Sequence, residues 1–267
     1  MRQLIAYCIG GICNRLQPLA DAMDMAEKYN RELLVYWEDA EYCKAKLNDL
    51  YKTKFNMITQ EDMVEMGYPY CLAPTAVGLK PHHKTICGIA DKDKGLYDTD
   101  KERVLYISNK FDPKYDGPAK LRTLELTDEL QLTIDKLIVS MWIVEGMAGV
   151  HARGTDMEVS IDWYIEQIKE KITHNEQTLL ITDCKHMKKE LQEQFPNMIT
   201  TPQQSFCTKT NDGTDDWVRN ITIDTDACKS AIIDIYLLAR TNIKVFWPAS
   251  TFAKTAMALQ YNKRIKQ

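Results

Sequence analysis

From residue 147 onward the chain alternates short apolar runs with amphipathic stretches, a pattern that few folds accept. MAGVH (147–151) predicts a strand and 160–172 a helix. TLLIT (178–182) predicts a second strand, 185–194 a helix ending near Pro196, and MIT (198–200) a short strand. After a polar loop at 207–219 come a helix over 227–240, the strand IKVFW (243–247) and a last helix over 250–260. Strands spaced by helices of about 10–15 residues pair in parallel, with helices covering both faces of the sheet.

The first half opens in the same way. RQLIAYCI (2–9) reads as a strand and GGICN (10–14) as a loop. Residues 16–29 place Leu16, Leu19, Ala20, Met23, Ala26 and Tyr29 at a helical period, and RELLVYW (31–37) returns to a strand. Residues 41–135 are less regular. VLYISN (104–109) predicts a strand, and LTDELQLTIDKLI (126–138) a helix with Thr127 as its cap. GLKPHHKTICG and DKDKGLYDTDKE read as solvated loops, and FNMITQEDMVEMG receives no assignment. The expected class is α/β, with two Rossmann-like domains facing a cleft. Their boundary is placed near 140, giving domains 1–140 and 141–267. Ligands of such sheets sit beyond the C-terminal ends of the strands.

Composition narrows the partners. With 45% hydrophobic and 27% charged residues the chain can bury a core. A net charge of −4 gives no bulk basicity for a nucleic-acid backbone, so an anion site must be local. No segment approaches the roughly 18 apolar residues of a membrane span. The apolar start is brief, glycine-interrupted and followed by Asn14 and Arg15, unlike a signal peptide. Eight cysteines, at 8, 13, 43, 71, 87, 184, 207 and 228, include no Cys-x-x-Cys. They are expected as free thiols of a cytoplasmic protein, without a metal.

Polar residues then collect where strands stop. GVHARGTD places His151, Arg153 and Asp156 at the end of the 147–151 strand. The planar fork of Arg153 suits a phosphate, and His151 could donate beside it. Asp156 either orients Arg153, caps the next helix, or simply pairs with Arg153 in a turn. LLITD ends in Thr182 and Asp183, which cap a helix or face a ligand. WPASTF sets Ser250 and Thr251 at a helix start, a natural phosphate cradle. Phe252 packs or stacks nearby. The GGICN turn allows close backbone approach and offers Asn14 to the cleft, without being a GxGxxG loop.

In these residues the chain resembles the GDP-fucose-dependent fucosyltransferases: the α1,2-, α1,6- and protein O-fucosyltransferase branches, with the nodulation fucosyltransferases beside them. The likeness rests on GGICNRLQ, VYWEDAEYCKAKLNDLY, HARGTD, LLITD and SAIIDIYLLARTNIKVFWPASTF, covering 5–50 and 145–260. It implies a GT-B fold and metal-independent, inverting transfer of fucose from GDP-fucose to a glycan hydroxyl. By resemblance, Arg153 grips the donor diphosphate, Ser250 and Thr251 touch the phosphates, Asp234 lies near the guanine, and Asn14 lines the catalytic cleft. The first domain would bind the glycan acceptor and the second the nucleotide sugar. HARGTD has one arginine where the α1,6 branch has two adjacent, which weakens any claim to that linkage. GGICN likewise replaces the Gly-Asn pair of many relatives. Without the membrane anchor and stem of Golgi relatives, a soluble enzyme of a bacterium or virus is expected.

Preorganised donors at Arg153 and the 250–251 helix start would meet the charge of the departing diphosphate. Glu38, Asp39, Asp156 and Asp183 are the acidic candidates for the general base, and no sequence rule chooses among them. Three other readings stand beside this one. They are a GT-B enzyme using another nucleotide sugar such as a GDP-hexose, a binding protein without turnover, and a Rossmann oxidoreductase. The last would need a GxGxxG pattern that the first turn does not supply.

Overall fold

A computed structural model of the chain describes residues 2–40, 43–66, 103–108, 110–154, 159–202 and 223–260. It divides into two compact units, Met1–Glu125 and Leu126–Gln267. Asp156, both solvated loops, the 207–219 loop, Cys71, Cys87 and Cys207 lie outside the described residues.

The first unit runs β1 (Gln3–Cys8), α1 (Ile12–Lys28), β2 (Glu32–Trp37), α2 (Leu47–Leu50), β3 (Asn56–Ile58), α3 (Gln60–Glu65), β4 (Arg103–Ile107) and α4 (Gly117–Leu121). Its sheet has the order β3-β2-β1-β4 and every pair is parallel, with Gln3 opposite both Glu32 and Arg103. Central β1 is apolar almost throughout because both its faces are covered.

Helix α1 begins four residues earlier than its apolar period predicts. Gly10 alone makes the turn at φ +84, a conformation that favours glycine, and extended Gly11 caps the helix. The difference matters because it puts Asn14 and Arg15 in the first helical turn. FNMITQEDMVEMG, unassigned in the sequence, folds into β3 and α3. Thr59 and Asp62 form a reciprocal cap there, with Asp62 N–H donating to Thr59 Oγ1 at 3.2 Å and Thr59 N–H to Asp62 Oδ2 at 2.7 Å.

One buried carboxylate ties this unit together. Asp21 on α1 is fully buried; its Oδ2 accepts from Tyr106 Oη at 2.8 Å on β4 and from Asp112 N–H at 2.7 Å. Oδ1 has no hydrogen-bond partner. Loss of water pushes the Asp21 pKa up to about 7 against the two hydrogen bonds. A raised folded pKa means that the native state holds a proton that the unfolded chain has released. Stability therefore falls as pH rises from about 4 to about 7. Asp21→Asn keeps the two accepted bonds and removes the titration. Its melting temperature should gain on wild type across that window and hold the gain at pH 8. Parallel melting curves from pH 4 to pH 8 would show that Asp21 does not titrate in this way.

The second unit runs α5 (Asp128–Ser140), β5 (Ala148–Ala152), α6 (Ile161–Lys171), β6 (Thr178–Thr182), α7 (Lys185–Gln194), β7 (Met198–Thr200), α8 (Thr225–Ala239), β8 (Asn242–Phe246) and α9 (Thr251–Gln260). The order β7-β6-β5-β8 repeats the wiring of the first sheet, again all parallel. The predicted elements of this half reappear within two residues of their expected ends. Helix α5 goes with the second unit, whereas a boundary at 140 would leave it in the first. It packs on α8, and Lys229 Nζ donates to Glu129 at 2.8 Å. Thr127 stands at its cap position, but its hydroxyl makes no capping bond.

The core of this unit gathers Val150, Tyr164, Ile168, Leu180, Leu191 and Val245 around β5. Each such buried side chain contributes about 1.5–3 kcal/mol. At Gly149 the pairing of β5 with β8 shifts by a bulge, and a Cβ there would lie 2.0 Å from Thr241 Oγ1. Glycine thus lets the α8–β8 turn press against the strand that carries the HARG segment.

Candidate nucleotide-sugar site

The C-terminal ends of β5 and β8 are neighbours, and they bring together His151, Ser250 and Phe252 from segments far apart in sequence. Ser250 is fully buried and caps α9, its Oγ accepting from Ala253 N–H at 3.2 Å. The same hydroxyl shares a hydrogen bond of 3.3 Å with His151 Nδ1. Phe252 stacks on the His151 ring at 4.6 Å between centroids and 7° between planes. Burial, then the Arg153 charge, push the His151 pKa down to about 3, so the imidazole is neutral at pH 7. His151 therefore offers a hydrogen bond and a packing surface, not a cation. Thr251, half-buried, opens the first turn of α9.

Arg153 and Gly154 follow β5. The Arg153 N–H donates to Tyr164 Oη at 2.9 Å, and the same hydroxyl lies 3.4 Å from the Arg153 carbonyl. The Gly154 N–H donates to Asp183 Oδ1 at 2.8 Å. A Cβ on Gly154 would stand 2.7 Å from Cys184 Cβ and 2.8 Å from Met187 Sδ, so the segment lies tight against the start of α7. Asp183 thus engages the backbone beside Arg153. Sequence reasoning missed Tyr164, because its place in the apolar period of α6 reads only as core.

Asp234 is buried within α8 and not on its surface. Its Oδ1 accepts from Thr201 Oγ1 at 2.9 Å, while Lys188 Nζ on α7 reaches the Thr201 carbonyl at 3.5 Å. Burial raises the Asp234 pKa to about 7, against the Thr201 hydrogen bond and the nearby Lys188 charge. No sequence signal singled out Thr201 or Lys188.

Asn14, Glu38 and Asp39 belong to the first unit. Asn14 packs under the turn, where a Cβ on Gly10 would meet its Cβ and Nδ2 at 3.3 Å, and its buried Oδ1 has no hydrogen-bond partner. Fully buried Arg15 holds that turn. Its Nε donates to the Gly10 carbonyl at 2.6 Å, its Nη1 to the Glu38 carbonyl, and its guanidinium lies 5.3 Å from the Trp37 ring centre. The Glu38 carboxylate accepts from Gly10 N–H at 3.2 Å and pairs with Arg15 at 3.7 Å, so this candidate base braces β2 against the glycine turn. Asp39 is exposed and 3.8 Å from Lys44 Nζ.

Among the described residues, Cys8, Cys13, Cys43, Cys184 and Cys228 are free thiols, and burial pushes the Cys8 thiol up to about 12. Also among them, no helix is long and apolar enough to cross a membrane, and no three His, Cys, Asp or Glu side chains cluster as metal ligands do.

No protein-family model matches the chain, and no curated protein does. Solved structures do. NodZ α-1,6-fucosyltransferase, co-crystallized with GDP, superposes with a TM-score of 0.66 at 18% identity, over 96% of this chain and 91% of that one. NodZ from Bradyrhizobium gives the same values. An Arabidopsis thaliana FUT1 mutant in complex with GDP reaches 0.60 at 13% identity, over 97% of this chain and 69% of that one. POFUT1 in complex with GDP-fucose reaches 0.54 at 9%, over 97% and 94%. With two units, each a parallel sheet flanked by helices, the chain has the GT-B fold.

Proposed function

We propose that the chain is an inverting glycosyltransferase that moves fucose from GDP-fucose to a glycan hydroxyl without a metal ion. The observation that carries this reading is that the paired strands β5 and β8 end side by side, with Arg153 following the one and the N-terminus of α9 the other. A guanidinium fork and a helix N-terminus form a site for a diphosphate. In the proposed reaction the acceptor oxygen attacks the anomeric carbon from the face opposite the diphosphate. The carbon–oxygen bond to GDP breaks and its electron pair leaves with the diphosphate. The acceptor proton passes to a general base. Single displacement inverts the anomeric centre.

In this reading Arg153 and the backbone at Thr251 bind the diphosphate. Ser250 acts through its cap, since its hydroxyl already serves Ala253 and His151. His151 and Phe252 form a neutral wall at the site. Asp234, braced by Thr201, accepts from the N–H edge of guanine. The first unit, to which Asn14 belongs, takes the glycan. A GDP-hexose as donor is the second reading, favoured by the same diphosphate and base contacts.

Calorimetry in EDTA should show GDP binding more tightly than UDP or dTDP. UDP binding better than GDP would remove the guanine assignment, and dependence on added magnesium would remove the metal-free one. GDP-mannose turned over faster than GDP-fucose would favour the hexose reading.

A further inference from the structure

We infer that Tyr164 is a positioning residue for the donor: its hydroxyl fixes the backbone of Arg153 so that the guanidinium meets the diphosphate. This inference rests on the nucleotide-sugar reading above. Tyr164 is fully buried on α6, one turn from the Ser160 cap, with Trp163 packed edge-on against its ring at 4.9 Å. A buried phenol needs a partner for its oxygen. Here one hydroxyl meets both polar groups of a single residue, the Arg153 N–H at 2.9 Å and the Arg153 carbonyl at 3.4 Å.

The next amide, Gly154 N–H, is held by Asp183, and the wall of Cys184 and Met187 leaves no room for a Cβ. Two consecutive peptide groups are therefore clamped from α6 on one side and from the β6–α7 turn on the other. An arginine side chain has four rotatable bonds, so the direction of its root decides where the fork arrives. Packing alone would be served by phenylalanine. The hydroxyl adds a fixed root for Arg153.

The test is a double-mutant cycle on the full chain with GDP as ligand and GDP release from GDP-fucose as the reaction. Tyr164→Phe should fold, bind GDP about tenfold more weakly and lose kcat, as a lost buried hydrogen bond predicts. Ile168→Val, a buried control on the same helix, should leave both values near wild type while lowering the melting temperature comparably. In an Arg153→Ala background the Tyr164→Phe change should add nothing to the loss of GDP binding. Equal losses in both backgrounds, matching losses in the Ile168→Val control, or a Tyr164→Phe enzyme identical to wild type would overturn the inference.

Amide exchange of wild-type Arg153 gives a test that needs no variant: the N–H should be protected, and fast exchange there would also overturn it. Wild type that binds GDP beside an unaffected Tyr164→Phe rejects the positioning role and leaves the functional reading standing. Wild type that binds no GDP rejects both.

Discussion

Arg153→Lys should lower transfer from GDP-fucose by roughly 2–4 kcal/mol of transition-state stabilisation, about thirty- to a thousandfold in rate. The substitution keeps the charge and loses the planar fork, so it separates bidentate recognition from simple attraction. Arg153→Ala should weaken GDP binding as well. Both variants should keep the wild-type circular dichroism and melt, because the Tyr164 and Asp183 contacts are made to the backbone of this segment and survive the change. Unchanged kcat and KM in a folded Arg153→Lys protein would put the guanidinium in a structural turn and leave the proposed diphosphate site without its main cation.

Gly149→Ala should be the most damaging small change in the second unit. A methyl group there would overlap Thr241 Oγ1 at 2.0 Å and crowd Thr241 Cβ at 3.0 Å and Leu238 Cδ1 at 3.1 Å. Thr241 cannot simply turn away, since its hydroxyl donates to the Leu238 carbonyl at 2.8 Å and its Cβ is itself too near. Overpacking of this kind costs about 1–3 kcal/mol, and more where backbone must move. A loss of about 3 kcal/mol in urea unfolding is expected, with weaker GDP binding because β5 leads directly into Arg153. A variant as stable as wild type would mean that the bulge relaxes freely and that close contact with Thr241 does not set the strand's position.

What the sequence showed and what it hid have separate physical causes. The elements of the second unit were legible because strands such as TLLIT are buried on both faces and end abruptly in polar residues. Parallel pairing followed from that alternation, and the GT-B class from the resemblance carried by the motifs at the strand ends. Two kinds of feature were not legible. The start of α1 was hidden because one left-handed glycine, not a loop of five residues, makes the turn. Tyr164 and Thr201 were hidden because their contacts join distant segments, and a residue at a core period looks alike whether or not its hydroxyl holds a neighbour. His151, Arg153 and Ser250 were singled out by their placement at strand ends. Burial then gave Ser250 and His151 a different character from that expected: a cap and a neutral ring in place of two ligand donors. The first half was legible in β1 and β2 and poorly so beyond, where apolar runs shorten.

The hydrogen bond between Ser250 and His151 spans 99 residues of chain. β5 is laid down early in its unit, yet its neighbour β8 is synthesised only after β6, β7 and three intervening helices. Closing so large a loop is slow compared with forming any single helix, because the entropy is lost before the contact is made. The proposed donor pocket is thus completed only when the cap of α9 reaches a strand made long before. During translation a nascent chain would hold a nearly finished sheet with no diphosphate site.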